Sequence, residues 1–208
     1  ESGSGSASRL RLPARGSDFE VPPGFFFVAP GPLSIEGGAG VLITTPAHNP
    51  IFLLGGPIER AGRLPYIDGC TDSLLIAPPL LGDPCLNHLH FPASVKQSLH
   101  THPSGRAGIV ARGSGTCVAV EGSTIQRIPL HPGMSFVIPA GLTHAFETAG
   151  ATLDVIAFHP DSDHGPSRAD HPMINRTLID GVSAAILPRV QTDLAAVAWS
   201  RSRDARSS

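Results

Sequence analysis

The chain has 208 residues, enough for one well-buried domain with some extension left over. Its net charge of −2 gives no basic footprint for nucleic acid or for an anionic membrane surface. Charged residues make up only 15%, against about a quarter in an average soluble domain, while Gly and Pro number 23 and 21. They fall between short apolar runs, a pattern that suits many short strands joined by tight turns.

In chain order, ESGSGSAS at the start reads as a linker or cloning remnant, and residues 1–18 are expected to be disordered. From Phe19 to about Pro160 the pattern is strand, turn, strand. GFFFVAPG, GVLITTP, PIFLLGG, DSLLIAPP and CLNHLHFP are short apolar runs closed by Pro or Gly. GIVARGSGTCVAV, TIQRIPL, MSFVIPAG, HAFET and ATLDVIAFHP follow in the same style. Strands recurring every 8 to 12 residues or so predict one all-β sandwich or barrel over 19–160. No helical stretch interleaves with them, which excludes a parallel α/β sheet. Residues 161–208 read as a polar, Pro-rich loop, a packing segment and a frayed tail, with a short C-terminal helix in VQTDLAAVAWS capped by Thr192.

Cys70, Cys85 and Cys117 form no CxxC pair, so a reducing, cytoplasmic setting is expected. The longest apolar runs, such as SLLIAPPLL, are too short for a membrane span and contain prolines. No GxSxG, P-loop or GxGxxG is present, and basic and aromatic residues do not interleave as single-stranded nucleic acid requires.

The chemistry gathers in LHTHPSGR and PAGLTH. On a strand, residues i and i+2 share a face, so His100 and His102 project side by side and can offer nitrogens to one metal ion. His144, just after the Pro-Ala-Gly turn, is the candidate third ligand. A single histidine in a strand is more often a satisfied polar residue than a ligand. The spacing around the pair shifts that balance.

Here the sequence resembles the cupin superfamily, whose first motif is G, five residues, HxH, three or four residues, E, six residues, G. His100, His102 and Gly113 match it, while Ser94 stands for the opening glycine and Arg106 for the glutamate. The second motif, G, five residues, PxG, two residues, H, three residues, N, is matched by Gly133, Pro139, Gly141 and His144, with Thr148 in place of Asn. The resemblance implies a double-stranded β-helix (cupin or jelly-roll) barrel with N-terminal strands, and a homodimer. Either the apolar FFFVAP stretch serves that pairing or it fills the core. It also implies a metal on His100, His102 and His144, with Fe(II) expected first and Zn, Ni or Cu as alternatives.

Arginine has no lone pair to give a metal. If Arg106 points inward, it makes the pocket more cationic and anchors an anion. Otherwise it snorkels to solvent or pairs with an acid such as Glu147. Three-histidine sites without the glutamate resemble thiol and β-diketone dioxygenases. The former also rely on a tyrosine, and the one tyrosine here, Tyr66, lies outside the motifs. His88 and His90 form a second HxH. If they face inward, His90 is a candidate catalytic group beside the metal. If outward, they decorate the barrel wall. Cys117 reads as core and His131 as a turn residue, while His159, His164 and His171 carry no assigned role.

The leading expectation is an iron-dependent oxygenase using O2 on a small anionic metabolite, with no nucleic-acid or membrane partner. A Zn- or Ni-dependent isomerase, lyase or cyclase and a non-enzymatic small-molecule binder are the alternatives. Because ligand histidines must be neutral, metal affinity is expected to weaken below about pH 6.5.

Overall fold

The computed structural model describes residues 6–13, 16–46, 48–167 and 171–188. The strands are β1 (Ser8–Leu12), β2 (Ser17–Val21), β3 (Phe26–Val28), β4 (Ser34–Glu36), β5 (Leu53–Gly55) and β6 (Leu64–Pro65). There follow β7 (Thr71–Ile76), β8 (Cys85–Phe91), β9 (Arg106–Gly113), β10 (Gly115–Glu121) and β11 (Thr124–Leu130). β12 (Ser135–Ile138), β13 (Thr143–Glu147) and β14 (Leu153–His159) complete the barrel. A one-turn helix α1 (Pro172–Arg176) and a small hairpin of β15 (Leu178–Ile179) and β16 (Val182–Ser183) come after it.

Two antiparallel sheets make the jelly-roll: six strands in the order β12-β9-β14-β8-β7-β6, and three in the order β11-β10-β13. Period-two alternation decides what each face meets. In β14, Leu153, Val155 and Ala157 are buried at or below 5% exposure and face the core, while Asp154 faces the opposite way. In β8, Leu89 and Phe91 face in with them, so His88 and His90 must face out. The core joins Phe91, Val110, Leu153 and Val155 of the larger sheet to Leu130 and Phe146 of the smaller one. Cys117 packs against this cluster, as expected.

The linker expectation for residues 1–18 is corrected over Ser8–Leu12 and from Ser17 onward, which form β1 and β2. The alternation in SRLRL puts Leu10 and Leu12 on one face, at 0% and 2% exposure, and Arg9 and Arg11 on the other. β2-β1-β4 form a sheet whose apolar face is covered by Phe19, Phe25, Phe27 and Phe52. Two phenylalanines of the FFFVAP stretch therefore fill this second core. GVLITTP is not a strand: Val41 and Leu42 stand 43% and 54% exposed, with no strand partner among the described residues. The helix expected from Thr192 lies outside the described residues. None of the described helices is long and apolar enough to cross a membrane.

The motif glycines take left-handed turns, with φ of +75° at Gly113, +87° at Gly133 and +74° at Gly141. Ser94, standing in a motif-glycine position, keeps the same conformation at φ +63°. Gly113 and Gly141 differ in their surroundings. A Cβ on Gly113 would lie 1.9 Å from the Thr152 carbonyl oxygen, whereas Gly141 has nothing within 4 Å. Gly141→Ala should therefore cost only the left-handed penalty, about 1 kcal/mol, and Gly113→Ala at least about twice that, measured by urea unfolding.

Candidate metal centre

His100 does not lie on a regular strand. It sits in an extended segment that meets the start of β13 at one bridge. There the amide of His100 donates to the carbonyl of His144 at 3.0 Å, and that of His144 donates back at 2.9 Å. Directly opposed residues of an antiparallel pair share a face, so the two imidazoles project together. Gly141 N–H donates to the carbonyl of His102 at 2.9 Å and holds the second half of HxH against the same ribbon. His102, two residues from His100, then falls on that face too. The ring centroids lie 4.6–5.1 Å apart. One nitrogen from each ring lies within 4.8 Å of the others, the only such group of ligating side chains among the described residues.

The tautomers follow from the hydrogen bonds. His100 Nδ1 meets the carbonyl oxygen of Ser98 at 2.8 Å, and His144 Nδ1 meets that of Leu142 at 3.0 Å. A carbonyl only accepts, so Nδ1 carries the proton in both rings and Nε2 keeps its lone pair for a ligand. Ser98 is itself held by Asp68, whose carboxylate accepts from the Ser98 amide at 2.7 Å and from its hydroxyl. Burial, with the Arg106 charge beside it, pushes His102 down to about 4. Burial also lowers His144. Both are neutral at physiological pH, the state a metal requires.

These histidines line a cavity of about 70 Å³. Arg106, the first residue of β9, lines it too, so of the two courses left open for it the structure shows the inward one. It does not pair with Glu147, whose partner is Arg127. Burial lowers the Arg106 pKa while Asp161 opposes that shift.

Tyr66 lies in the same cavity although it falls outside both motifs. It precedes the turn Ile67–Gly69 that also presents Asp68. Two further residues lining the cavity escaped the sequence reading. His159 ends β14, and the alternation Leu153, Val155, Ala157, His159 carried the signal for it. Burial and the Arg106 charge push its pKa down to about 4. Asp72 on β7 faces inward beside Leu89, and both its oxygens accept from the Asn87 amide, at 2.9 and 3.1 Å. Burial raises its pKa and, with Asp72 nearby, that of Tyr66 as well.

The expectation for His90 is corrected. It lies on the outer face of the larger sheet, where Arg112, Asp154, His90 and Thr71 stand in register across four strands. His88 Nε2 and His90 Nδ1 both donate to Asp154 Oδ1, at 2.7 and 2.9 Å, and Arg112 Nε donates to Oδ2 at 3.2 Å. Arg112 also reaches the carbonyl of Glu59, so a loop is clipped over this polar row. Burial pushes the Asp154 carboxyl up, but the three donors together outweigh it and hold it below the usual range. This is a structural anchor behind the wall of the cavity.

Residues 87–159 match the family model described as a cupin domain. That match supports the cupin superfamily for this segment. Its two-sheet barrel, the glycine turns and the three histidines agree with that assignment. No curated protein matches the chain in sequence. Among solved structures, the chain is similar to a cupin-like protein from Thermotoga maritima, at 20% identity and a TM-score of 0.43, over 52% of this chain and 84% of that one. It is similar to the polyketide cyclase RemF from Streptomyces resistomycificus, at 21% identity and TM-score 0.41, over 50% and 72% of the two chains. KdgF from Halomonas sp. aligns at 23% identity and TM-score 0.38, over 46% and 83%.

Two outcomes follow for this site. His102→Ala should weaken divalent-metal binding at least about 100-fold, whereas His90→Ala should leave it within about twofold, measured by competition with a chromophoric chelator. In the unfolded chain His102 and His159 protonate near pH 6.5, but in the fold only near 4. Between those values the unfolded state binds more protons, so apoprotein stability should fall as pH drops from about 6.5 to about 4. His159→Gln should flatten that slope in urea unfolding.

Proposed function

We propose that this cupin domain is a metal-dependent enzyme that acts on a small anionic metabolite, and that its metal is Fe(II) used for oxygenation. The observation that carries the reading is the set of three convergent imidazoles, with Nε2 left free in His100 and His144 and no carboxylate among them, beside an inward guanidinium. Neutral ligands leave a divalent ion its full charge, and Arg106 adds a further positive charge to the same cavity. Fe(II) bound there would supply a centre that takes up O2 beside the substrate. The protein's own part is to keep His102 and His144 unprotonated, to hold the anion with Arg106 and to limit water in a small cavity. Tyr66 and His159 stand where a proton could be passed to or from a bound substrate.

Asp72 favours a second reading. A carboxylate with a raised pKa, inside the cavity and next to Tyr66, suits proton abstraction. A Zn- or Ni-dependent isomerase, lyase or cyclase would use that pair and need no O2. The expected assembly, from family resemblance, is a homodimer.

Reconstitution with Fe(II) under anaerobic conditions, followed by oxygen uptake on panels of small carboxylates, thiols and diketones, tests the first reading. Turnover that consumes O2 and is lost on Zn substitution is the expected result. Turnover that persists without O2 and survives Zn would favour the second, and a chain that holds no stoichiometric metal would end both.

A further inference from the structure

The segment that carries His100 gains one residue against β13 between its two bridges. Lys96 stands opposite Glu147 and His100 opposite His144, so four steps on one side meet three on the other. This is a bulge, and it changes which side chains face inward. Ser98 and Leu99 take up the extra residue on the exposed side. Gln97 and His100 both fall on the cavity face that Phe146 and His144 share.

The bulge also decides how the Gln97 carboxamide is held. The Gln97 backbone N–H donates to the Phe146 carbonyl at 3.1 Å, but the return bond of a regular pair does not form between the backbones. Phe146 N–H donates instead to Gln97 Oε1, at 3.1 Å and out of reach of solvent. That bond fixes the orientation of the amide, since Nε2 in the same place could only donate. Nε2 is the end left over, and it has no hydrogen-bond partner among the described residues. Gln97 is only 4% exposed, yet Nε2 is not one of the sealed, unpartnered side-chain atoms, which are His88 Nδ1 and Arg106 Nε. The opening left to it is the cavity that Gln97 lines together with the three histidines. Phe146, to which Gln97 is fastened, has its ring 6.0 Å from that of His144.

A buried amide donor that faces a cavity without a protein acceptor is a cost to the empty fold and a demand on the ligand. An apolar group leaves it unmatched, and a second donor repels it. An acceptor oxygen answers it, and a neutral donor suits an uncharged one.

We propose that Gln97 is a substrate-binding residue that selects for a carbonyl oxygen, which accepts from its Nε2–H inside the three-histidine cavity. The assignment rests on the metal-site reading above and gives the substrate of that reading a carbonyl group besides the atom that meets the metal. Nε2 cannot turn away to another partner without breaking the bond from Phe146, so the discrimination is built into the bulge. If an enolate forms from that carbonyl, the donor is already in place for its growing charge.

The test uses the full chain loaded with Co(II) and two thiol probes of similar size, mercaptoacetone and isobutanethiol. Both present sulfur to the metal, and only mercaptoacetone carries a carbonyl oxygen. Dissociation constants are read from the thiolate-to-Co(II) absorption, and the ratio of the two is compared between variants, which cancels the intrinsic difference between the thiols. Gln97→Met should reduce the preference for mercaptoacetone at least about tenfold. Gln97→Glu, which keeps an oxygen for Phe146 N–H and replaces the donor, should reduce it as much.

A preference kept in either variant would overturn the assignment. If Co(II) is not taken up, the three-histidine reading fails by itself. The side-chain amide signals of Gln97, followed by NMR as apoprotein is titrated with each probe, then decide: a shift with mercaptoacetone alone supports the donor, and no shift, or the same shift with both, would sink it.

Discussion

Everything in the cavity depends on one pair of backbone hydrogen bonds, the mutual exchange between His100 and His144. A segment with no regular strand pairing is fastened to β13 at that point, as it is at the Lys96–Glu147 bridge, and this fastening puts the imidazoles on one face. The bonds from Nδ1 to the carbonyls of Ser98 and Leu142 then aim both Nε2 lone pairs at a common point. Because local backbone carbonyls fix the tautomers, the site is preorganised before any metal arrives. Asp68 extends this order outward: by holding Ser98 it links the ligand segment to the turn that follows Tyr66.

The two faces of the larger sheet divide the polar chemistry between them. On the inner face β8 and β14 supply Leu89, Val155 and Ala157 as apolar wall, with His159 and Asp72 at its borders. On the outer face the same two strands carry His88, His90 and Asp154, closed by Arg112. A buried carboxylate that accepts three charge-capable donors is expensive to disrupt, since removing it strands the donors. Three strands, β8, β14 and β9, are thereby cross-linked behind the cavity, which keeps the wall in one register while the interior stays open for a ligand.

Charge sets the character of the interior. Arg106 brings a positive charge to the cavity beside the three imidazoles, and a divalent ion would add to it. Asp72 is the counterweight, yet its oxygens are held by Asn87 and make no ion pair with Arg106. Arg106 in turn is turned by Ser104 and balanced through it by Asp161. Opposite charges that line one small cavity without pairing are a costly arrangement for an empty protein, and a natural one for a site that waits for a polar substrate.

Read alone, the sequence determined a great deal here: the all-β class, most strand positions, the turn glycines and the three histidines, while the course of Arg106 stayed open between inward and outward. These follow from local rules, namely period-two alternation, the left-handed preference of glycine and the spacing of a two-part motif. It misjudged Ser8–Leu12, where SRLRL is a strand because Leu10 and Leu12 find a phenylalanine cluster that no local pattern reveals. It also misplaced GVLITTP, whose β propensity found no partner strand among the described residues. Which face of β8 looks inward was open until the pairing was known, because CLNHLHF alternates two plausible faces. Only the tertiary structure decided it, since Asp154 and Arg112, 64 and 22 residues away from His90, stand in register on the outer side. The same holds for Tyr66, Asp72 and His159. Each is ordinary in its own segment, and each becomes part of a site only because long-range strand pairing folds three distant segments onto one cavity.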